Sequence, residues 1–441
     1  GSLSAQGGMA GYIGNGGSGG AVLVTTAGTG AASITTGAIN TWGGKYNSNS
    51  QPGSNGGNAG NVTLGTVGAG ASIQFGNLDA HGGAGSLNRV NTNYGSATIV
   101  SGTGGTVSIT TTGTDSDIAG SGGVSSYVEN AGCSNNAICS IGTAGNITMT
   151  ATSGSVSLAG NANAKGGNAV GGGALLANNG GAGGSVTVVA GGANHNVSIG
   201  GIDATGGTAL AGGTAGTGKA VNVTAADGYV QQVPGNWFNG SSVTVNANRG
   251  IGAGTGAGDL SQRLGIIPVT GTARNAISGT FLATRQGNTR VIYGGGNVAL
   301  AGTQVQNLFT TGDIDIATSN GALTVNGLGR NGAGNISLSA GGGNDLTINA
   351  GGTLSAVNGN IRLEAGHDVI FSGNSSAQTT TGDVYVSAGA NVQQSGASTA
   401  LTGNNLALRA GGYIGDGAGG DNALNTSVNT LSAVAGSNIG I

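Results

Sequence analysis

The sequence predicts an all-β parallel β-helix, a solenoid in which short strands stack coil upon coil. Two observations support this fold class: one strand-like segment recurs along the chain, and the composition opposes helical packing. The recurring segments are Val22–Ala27, Val62–Val67, Val107–Thr112, Ile147–Thr152, Val186–Ala190 and Val221–Ala225. They begin 40, 45, 40, 39 and 35 residues apart, which indicates a repeat with insertions of variable length.

Each recurring segment carries a large apolar residue at its first and third positions. The pairs are Val22/Val24, Val62/Leu64, Val107/Ile109, Ile147/Met149, Val186/Val188 and Val221/Val223. The residue between them is mostly polar, with Leu23 as the exception. Because successive side chains of a strand point to opposite faces, this alternation predicts an inward apolar column and an outward polar one.

Composition supports the same class. The 441 residues include 99 glycines and 3 prolines, with 6% charged and 3% aromatic residues. Glycine costs about 1 kcal/mol relative to alanine inside a helix. A chain with this many glycines is therefore unfavourable for an α-helical fold. Disorder is also disfavoured, because a disordered chain usually carries high charge and few β-branched residues in register.

Charge and hydropathy exclude two kinds of partner. A net charge of −3 provides no basic surface for nucleic acid and no polybasic anchor for a membrane. No apolar run approaches the ~20 residues that span a bilayer, so we expect no membrane insertion. The chain begins without methionine and stops at Asn438–Ile441, which resembles the middle of a strand segment. We interpret the chain as a piece of a longer protein.

In the first half, a glycine pair follows each recurring segment after two shorter strands. The pairs begin at 43, 82, 122, 166 and 206. The shorter strands include Ser72–Phe75 and Gly201–Ala204. Insertions such as Gly43–Gly60 and Gly166–Gly184 follow the pairs, and we expect them to stack into a second layer along one side. Glycine suits this stacking because it permits positive φ and close backbone approach.

The second half repeats more tightly, without the long insertions. Gly312, Gly334, Gly359, Gly382 and Gly403 open segments spaced 22, 25, 23 and 21 residues apart, and each glycine precedes Asn or Asp. These dipeptides predict tight corners with left-handed backbone and local side-chain bonds. We therefore divide the chain into coils with long Gly-rich corner insertions (1–228), irregular larger coils of the same solenoid (229–295) and compact coils of about 22 residues (296–441).

Three compact segments carry a resemblance to a known family. They are GNISLSA at 334–340, GNIRLEAG at 359–366, and Ile414-Gly415-Asp416-Gly417 with Leu424–Val428 and Leu431–Ala433. The pattern resembles the filamentous-haemagglutinin-type exoproteins of two-partner secretion, best over 296–441 and more loosely before 225. The resemblance implies a right-handed parallel β-helix (solenoid), an extracellular or bacterial cell-surface location and an outer-membrane secretion partner.

Candidate site residues are few. Cys133 and Cys139 lie close together in an insertion, which suits a disulfide in an oxidising compartment, with two free thiols as the alternative. Trp42, Tyr46, Tyr94 and Tyr127 fall in the insertions, where exposed rings stack on glycans or pack against a sister fibre. The alternative is that these rings cover the side of their own solenoid.

The residues that enzymes and metal sites require are sparse. Asp313, Asp315, Glu364, Asp368 and Asp383 are the richest set of carboxylates, and their spacing indicates solvated corners and faces. His81, His195 and His367 lie far apart in sequence, and we expect each at the surface. We therefore predict no catalytic residue, metal or cofactor. An ice-binding face would need a strict threonine grid, which the strand segments lack.

The sequence thus favours a non-catalytic structural shaft of a large bacterial surface adhesin or extracellular fibre, which mediates adhesion or cell–cell and matrix association. Two alternatives remain: a self-assembling extracellular filament subunit and a β-helical polysaccharide-processing enzyme. Expected partners are further copies of the chain, or a glycan or other cell-surface ligand.

Overall fold

A computed structural model describes most of the chain. The described residues are 1–10, 14–28, 30–46, 54–85, 97–133, 137–171, 177–232, 236, 238–247, 250–251, 262–265, 281–283, 289–294, 298–300, 305–307, 313–318, 320–326, 334–395, 400–415 and 423–441. They form two compact units, one of residues 1–226 with 235–243 and one of residues 227–234 with 244–441. Tyr94 and most of the irregular stretch predicted at 229–295 lie outside the described residues.

The first unit is a parallel β-helix whose coils each contribute strands to three faces. The first face contains Val22–Thr26, Val62–Thr66, Val107–Thr114, Ile147–Ser153, Val186–Ala193 and Ala220–Asp227. The second contains Ile34–Thr35, Ile73–Phe75, Ile118–Gly120, Val156–Leu158 and Val197–Ile199. The third contains Leu3–Ser4, Ile39–Asn40, Leu78–Asp79, Val124–Ser125, Ala162–Asn163, Ile202–Asp203 and Phe238–Asn239.

The predicted alternation of the first face is confirmed. Equivalent residues pair in register from Val22 through Val62, Val107 and Ile147 to Val186. From the second coil onward the inward pairs are fully buried, whereas Leu23 on the outward side of the first coil is 71% exposed. Burial of each such side chain contributes about 1.5–3 kcal/mol, so the apolar column holds the coils together.

A second layer flanks the three faces, as the insertions predicted. We call it the glycine layer, and it consists of two sets of segments. The segments that enter the first face are 15–21, 55–61, 100–106, 140–146, 179–185 and 214–220. The segments that leave the third face are 5–10, 41–46, 80–85, 126–131, 164–169 and 204–209. Bonds between coils recur every third residue, as where Gly16 and Gly19 donate to the carbonyls of Asn55 and Asn58. Three residues per turn is the period of a polyproline II helix.

Further strands extend the insertions beyond this layer. Ala97–Val100 pairs with Ala137–Ser140, and Ala131–Gly132 pairs with Ala169–Val170. The structure places a disulfide between Cys133 and Cys139, whose Cα atoms are 6.0 Å apart. Both cysteines are buried in a small apolar cluster of their own.

The second unit is also a parallel β-helix. Its longest run of paired strands contains Tyr229–Gln232, Gly250–Ile251, Gln262–Gly265, Thr289–Gly294, Ile314–Thr318, Ile336–Ala340, Ile361–Ala365, Val384–Ala388, Ala400–Ala410 and Thr426–Ala435. A second run contains Val298–Leu300, Leu323–Val325, Leu346–Ile348, Val369–Ser372, Val392–Ser395 and Ile414–Gly415. One shorter run contains Thr353–Ala356 and Ser376–Thr379. Another contains Ser242–Ala247, of which residues 244–247 belong to this unit, with Phe281–Ala283 and Val305–Asn307.

The corners of the second unit differ from the prediction. Asn335, Asn360 and Asp383 do not adopt positive φ, which among described non-glycine residues occurs at Asp115, Asn194 and Ala211. Their side chains bond to the next coil instead of locally: Asp383 N donates to Asn360 Oδ1 at 2.8 Å, and Asn360 N donates to Asn335 Oδ1 at 2.8 Å. Glycine precedes them because a Cβ at Gly359 would lie 2.0 Å from the carbonyl oxygen of Gly334.

The fold class is therefore confirmed as an all-β parallel β-helix. No helix lies among the described residues. Accordingly, the described part of the chain contains no helix of the length and hydrophobicity needed to cross a membrane.

Candidate functional site

The most distinctive cluster of side chains lies where the third face of the first unit meets the glycine layer. The outward residues of this face form a column that we call the outer column: Asn40, Asp79, Ser125, Asn163, Asp203 and Asn239. In extended backbone, the residue two positions further on points to the same side. That position holds Trp42, His81, Tyr127, Lys165 and Thr205 on successive coils. The register of the strands thus brings three rings together.

Trp42, His81 and Tyr127 form a continuous stack. The Trp42 and His81 ring centroids are 5.3 Å apart with planes 19° from parallel, and those of His81 and Tyr127 are 4.9 Å apart with planes 12° from parallel. The imidazole is enclosed between two larger rings, and its side chain is only 6% exposed. The expectation that His81 lies at the surface is therefore wrong, because two neighbouring coils cover it.

Three charged side chains surround the stack and, together with His81, form a balanced network. His81 Nδ1 lies 2.6 Å from Asp79 Oδ1, and His81 Nε2 lies 3.4 Å from Glu129 Oε1. The second distance is that of an ion pair without a well-formed hydrogen bond. Lys45 Nζ lies 2.5 Å from the same Glu129 oxygen and 5.5 Å from the Trp42 ring centroid. Two cations and two carboxylates thus share one half-buried network.

The network sets the protonation state of its members. Burial by itself would lower the pKa of His81, but the Asp79 and Glu129 carboxylates outweigh it and raise the pKa from 6.5 to about 9. Burial opposes the charge of Glu129, yet His81 and Lys45 lower its pKa. Burial and then the two carboxylates raise the pKa of Tyr127 to about 12. At neutral pH the imidazole is therefore a cation and the phenol keeps its proton.

Glu129 occupies a position that other coils give to glycine. Four residues after the third-face strand, this coil has Glu129, where the other coils have Gly44, Gly83, Gly167 and Gly207. Val128 likewise replaces the first glycine of the pair. The predicted pair at 122 is out of register, since Gly123 lies opposite Asn161, before the strand. This coil therefore gives up the glycine pair, and the carboxylate that replaces it reaches Lys45 and His81 on earlier coils.

An open groove of about 460 Å³ borders the stack. Its lining includes Tyr127, Glu129, Asn130, Asn163, Lys165 and Asn168. A second open groove of about 520 Å³ continues along the outer column and shares Asn163; its lining includes Asn161, Asp203 and Asn239. Asparagine is the most frequent residue in both linings, and its carboxamide can both donate and accept hydrogen bonds.

The protonation state of this cluster limits the chemistry open to His81. A protonated imidazole between two carboxylates is a hydrogen-bond donor and offers no lone pair to act as a base. Glu129 accepts from Lys45 and from the backbone N–H of Ala84, the latter at 3.2 Å. The groups that face the groove are an aromatic ring, amides, one ammonium group and carboxylates with partners.

The sequence-predicted aromatic residues are distributed as follows. Trp42 and Tyr127 form the two ends of the stack, while Tyr46 is half-buried on the coil of Trp42. Tyr94 lies outside the described residues. Sequence reasoning missed His81, Lys45 and Glu129. One sequence signal was available: Trp42, His81 and Tyr127 each stand two positions after the polar member of an apolar-polar pair. That common spacing places the three rings at equivalent positions of successive coils.

The second unit brings together one histidine and two carboxylates. Asp345, His367 and Asp368 present potential metal-ligand atoms within 4.8 Å of one another. However, His367 Nδ1 contacts Asp345 Oδ1 at 2.7 Å, and this hydrogen bond raises the pKa of His367. Asp368 accepts from Asn391 at 2.8 Å and from Gln393 at 2.5 Å. These bonds continue a ladder between coils, so the cluster is explained without a metal ion.

The other predicted carboxylates are separate from this cluster. Asp313 and Asp383 accept bonds from the backbone of Asn335 and Asn405 on following coils. Glu364 pairs with Arg362 at 2.6 Å, and Asp315 lies half-buried in the strand Ile314–Thr318. His195 Nε2 lies 3.6 Å from Asp115 in the first unit. The structure therefore does not assemble the five carboxylates into one site.

Comparisons with known proteins found no similar protein: no family model matches the sequence, and no curated protein or solved structure matches the chain.

Proposed function

We propose that the chain is a non-catalytic structural shaft of a bacterial surface adhesin or extracellular fibre. In this proposal it resembles the filamentous-haemagglutinin type and reaches the cell surface through an outer-membrane secretion partner. The observation that carries the proposal is the set of side-chain ladders that join every described coil of the second unit between Asp313 and Asn405 to the next.

The longest ladder repeats one contact on four successive coils. Asn335, Asn360, Asp383 and Asn405 each donate a backbone N–H to the side chain of the equivalent residue on the preceding coil, at 2.8, 2.8, 2.8 and 3.1 Å. Each bond contributes about 1 kcal/mol, and its repetition fixes the rotation of one coil relative to the next. Such a stack resists bending and twisting, which is the property a spacer requires.

The residues that carry the family resemblance also hold successive coils together. Asn335 and Asn360 belong to the ladder, while Ile336, Leu338, Ile361 and Leu363 are fully buried in the core column. The motif is therefore one of coil construction, and its one carboxylate, Glu364, is paired with Arg362. This supports a shaft in preference to a β-helical enzyme, whose outward residues would have to converge on a substrate.

Removal of whole coils tests the proposal in cells that produce the protein. Deletion of residues 336–405 removes three coils and joins Asn335 to Leu406, which take the places of Asn405 and Leu406 in an unbroken register. At ~4.8 Å per coil, the shaft shortens by roughly 14 Å. We expect surface display and attachment to persist, because a spacer tolerates a change in length.

A register-breaking deletion provides the matched control. Removal of residues 349–360 takes out half a coil and should abolish display, as detected by antibody labelling of intact cells. If the three-coil deletion is displayed normally but attachment disappears, these coils contain the functional site and the spacer role is wrong. Uniform fibres formed by the purified chain alone would favour the filament-subunit alternative.

A further inference from the structure

The groove beside Tyr127 has the composition of a ligand site. Apart from Ala84, its lining comes from the coil of Tyr127 and the next coil, so the ring face turned away from His81 borders the open space. The other face of the ring is covered by the imidazole at 4.9 Å. Tyr127 is therefore held rigidly on one side and is available for stacking on the other.

Hydrogen-bonding groups surround this ring. Asn130 Oδ1 accepts from the backbone of Asn168 at 2.9 Å, and Asn163 Oδ1 accepts from that of Lys165 at 3.1 Å. These bonds orient both carboxamides, whose NH₂ groups make no hydrogen bond within the described part of the chain. Lys165 likewise makes no ion pair among the described residues. The site thus offers oriented donors next to an aromatic face.

We propose that this groove binds a neutral oligosaccharide, with one pyranose ring stacked on Tyr127 and its hydroxyl groups bonded to Asn130, Asn163 and Lys165. A pyranose combines an apolar face with hydroxyl groups that both donate and accept, which matches a ring flanked by amides. Lys165 places a positive charge in the first groove and Asp203 places a negative charge in the second. The two charges balance, so the grooves together favour neither an anionic nor a cationic ligand.

Other ligand classes fit less well. A nucleic acid would need several phosphate contacts, and Lys165 is the one basic residue in the lining of either groove. A peptide that adds a strand needs an open sheet edge, whereas the groove lies over the side chains of a paired face. The second groove continues from Asn163 along the outer column for about two more coils, roughly 10 Å. This length favours a short saccharide chain over a single sugar.

Native affinity electrophoresis of the purified full chain tests the inference. The gels contain dextran, xylan, glucomannan or galactomannan as neutral probes, and heparin or alginate as acidic ones. We expect at least one neutral polysaccharide to retard the protein. Tyr127→Ala should weaken that binding at least tenfold, Asn163→Ala should weaken it less, and Tyr127→Phe should retain it because the ring remains.

Tyr385→Ala is the matched control, since Tyr385 lies in the second unit under Arg362. Circular dichroism establishes that each variant is folded, and Lys165→Ala replaces Tyr127→Ala if that variant is not. No retardation by any neutral probe, retardation by the acidic probes alone, or equal binding by the Tyr127→Ala variant would each overturn the inference. The 336–405 deletion leaves this groove intact. A negative result in the binding test is therefore independent of a negative result in the test of the shaft proposal.

Discussion

His81 shows how one residue acquires its properties from coils that are distant in sequence. Its ring lies between Trp42 and Tyr127, which are 39 residues before it and 46 residues after it. Its charge is balanced by Asp79 on its own coil and Glu129 on the next. An imidazole so enclosed would lose its proton if it were alone, and it keeps the proton because two carboxylates are close.

This protonation links stability to pH. The pKa of His81 is raised from 6.5 to about 9 in the folded chain, so the folded state binds the proton more tightly than the unfolded state. The resulting stability is fully present below pH 6.5, is lost as pH rises, and is gone above about pH 9. At about 1.4 kcal/mol for each unit of pKa, we expect a loss of roughly 3 kcal/mol across this range. In His81→Gln the loss should disappear, as measured by thermal melting at closely spaced pH values.

His367→Gln is the control for this titration. A carboxylate also raises the pKa of His367. However, the His367 side chain is 55% exposed, so solvent screens the interaction. Its replacement should leave the pH dependence of the first unit unchanged. If the melting temperature falls with pH by the same amount in the wild type and in the His81→Gln variant, the stability loss does not come from His81.

The residue scale also shows where prediction from sequence ends. Trp42 and Tyr127 could be selected because large rings are rare in this chain and lie among glycines. His81 could not be placed with them, because the coils differ in length by up to ten residues and only the strand register shows which side chains share a column. The ion pairs of Glu129 depend on the same register and were missed for the same reason.

At the scale of the element, the glycine layer depends on close contact between backbones. Gly17 donates to Gly8, Gly44 to Gly17, Gly57 to Gly44 and Gly83 to Gly57, at 2.8–2.9 Å. These bonds join the entering and leaving segments in alternation. Gly57 has an ordinary φ, so the close approach of neighbouring carbonyls, and not left-handed backbone, requires glycine there.

Gly57→Ala should therefore destabilise the first unit. Its Cβ would lie 2.1 Å from the carbonyl oxygen of Gly17 and 2.8 Å from that of Gly16, which forces the segments apart. Overpacking of this kind costs about 1–3 kcal/mol, and the loss of backbone bonds adds to it. Chemical denaturation monitored by circular dichroism measures the change.

Gly8→Ala offers a comparison within the same layer. A Cβ at Gly8 meets no atom within 4 Å, and its φ is also ordinary. This substitution should be neutral or stabilise by up to about 1 kcal/mol, because alanine restricts the unfolded chain. Equal destabilisation by both substitutions would show that close contact at Gly57 is not what requires glycine.

The elements were more accessible to prediction than the site. The first-face strands follow from alternation alone, since inward Val, Ile and Leu identify each coil and set its register. The pair at Gly122 was assigned wrongly because glycine also occupies the turns before third-face strands. Composition cannot distinguish a glycine that turns the chain from one that admits a neighbouring carbonyl, because both are recognised only in the assembled coils.

At the scale of the whole molecule, both units derive their stability from contacts between successive coils. Leu338, Leu363, Val386 and Leu408 stack in register, and the first three are fully buried. In such a stack each coil contacts mainly the one before and the one after it. The free energy of unfolding is then approximately a sum of local terms, and damage to one coil should remain local.

Leu363→Ala tests this locality. The cavity it leaves costs about 2–5 kcal/mol, which should increase amide exchange at least tenfold in Ile336–Ala340 and Val384–Ala388, measured by hydrogen–deuterium exchange with mass spectrometry. Val186–Ala193 in the first unit should keep its protection. Arg362→Ala is the matched control, because the neighbouring Arg362 side chain is 58% exposed and its surface pair with Glu364 contributes under about 1 kcal/mol. A uniform loss of protection in both units would instead mean that the chain unfolds as one cooperative block, and that stability is not assembled coil by coil.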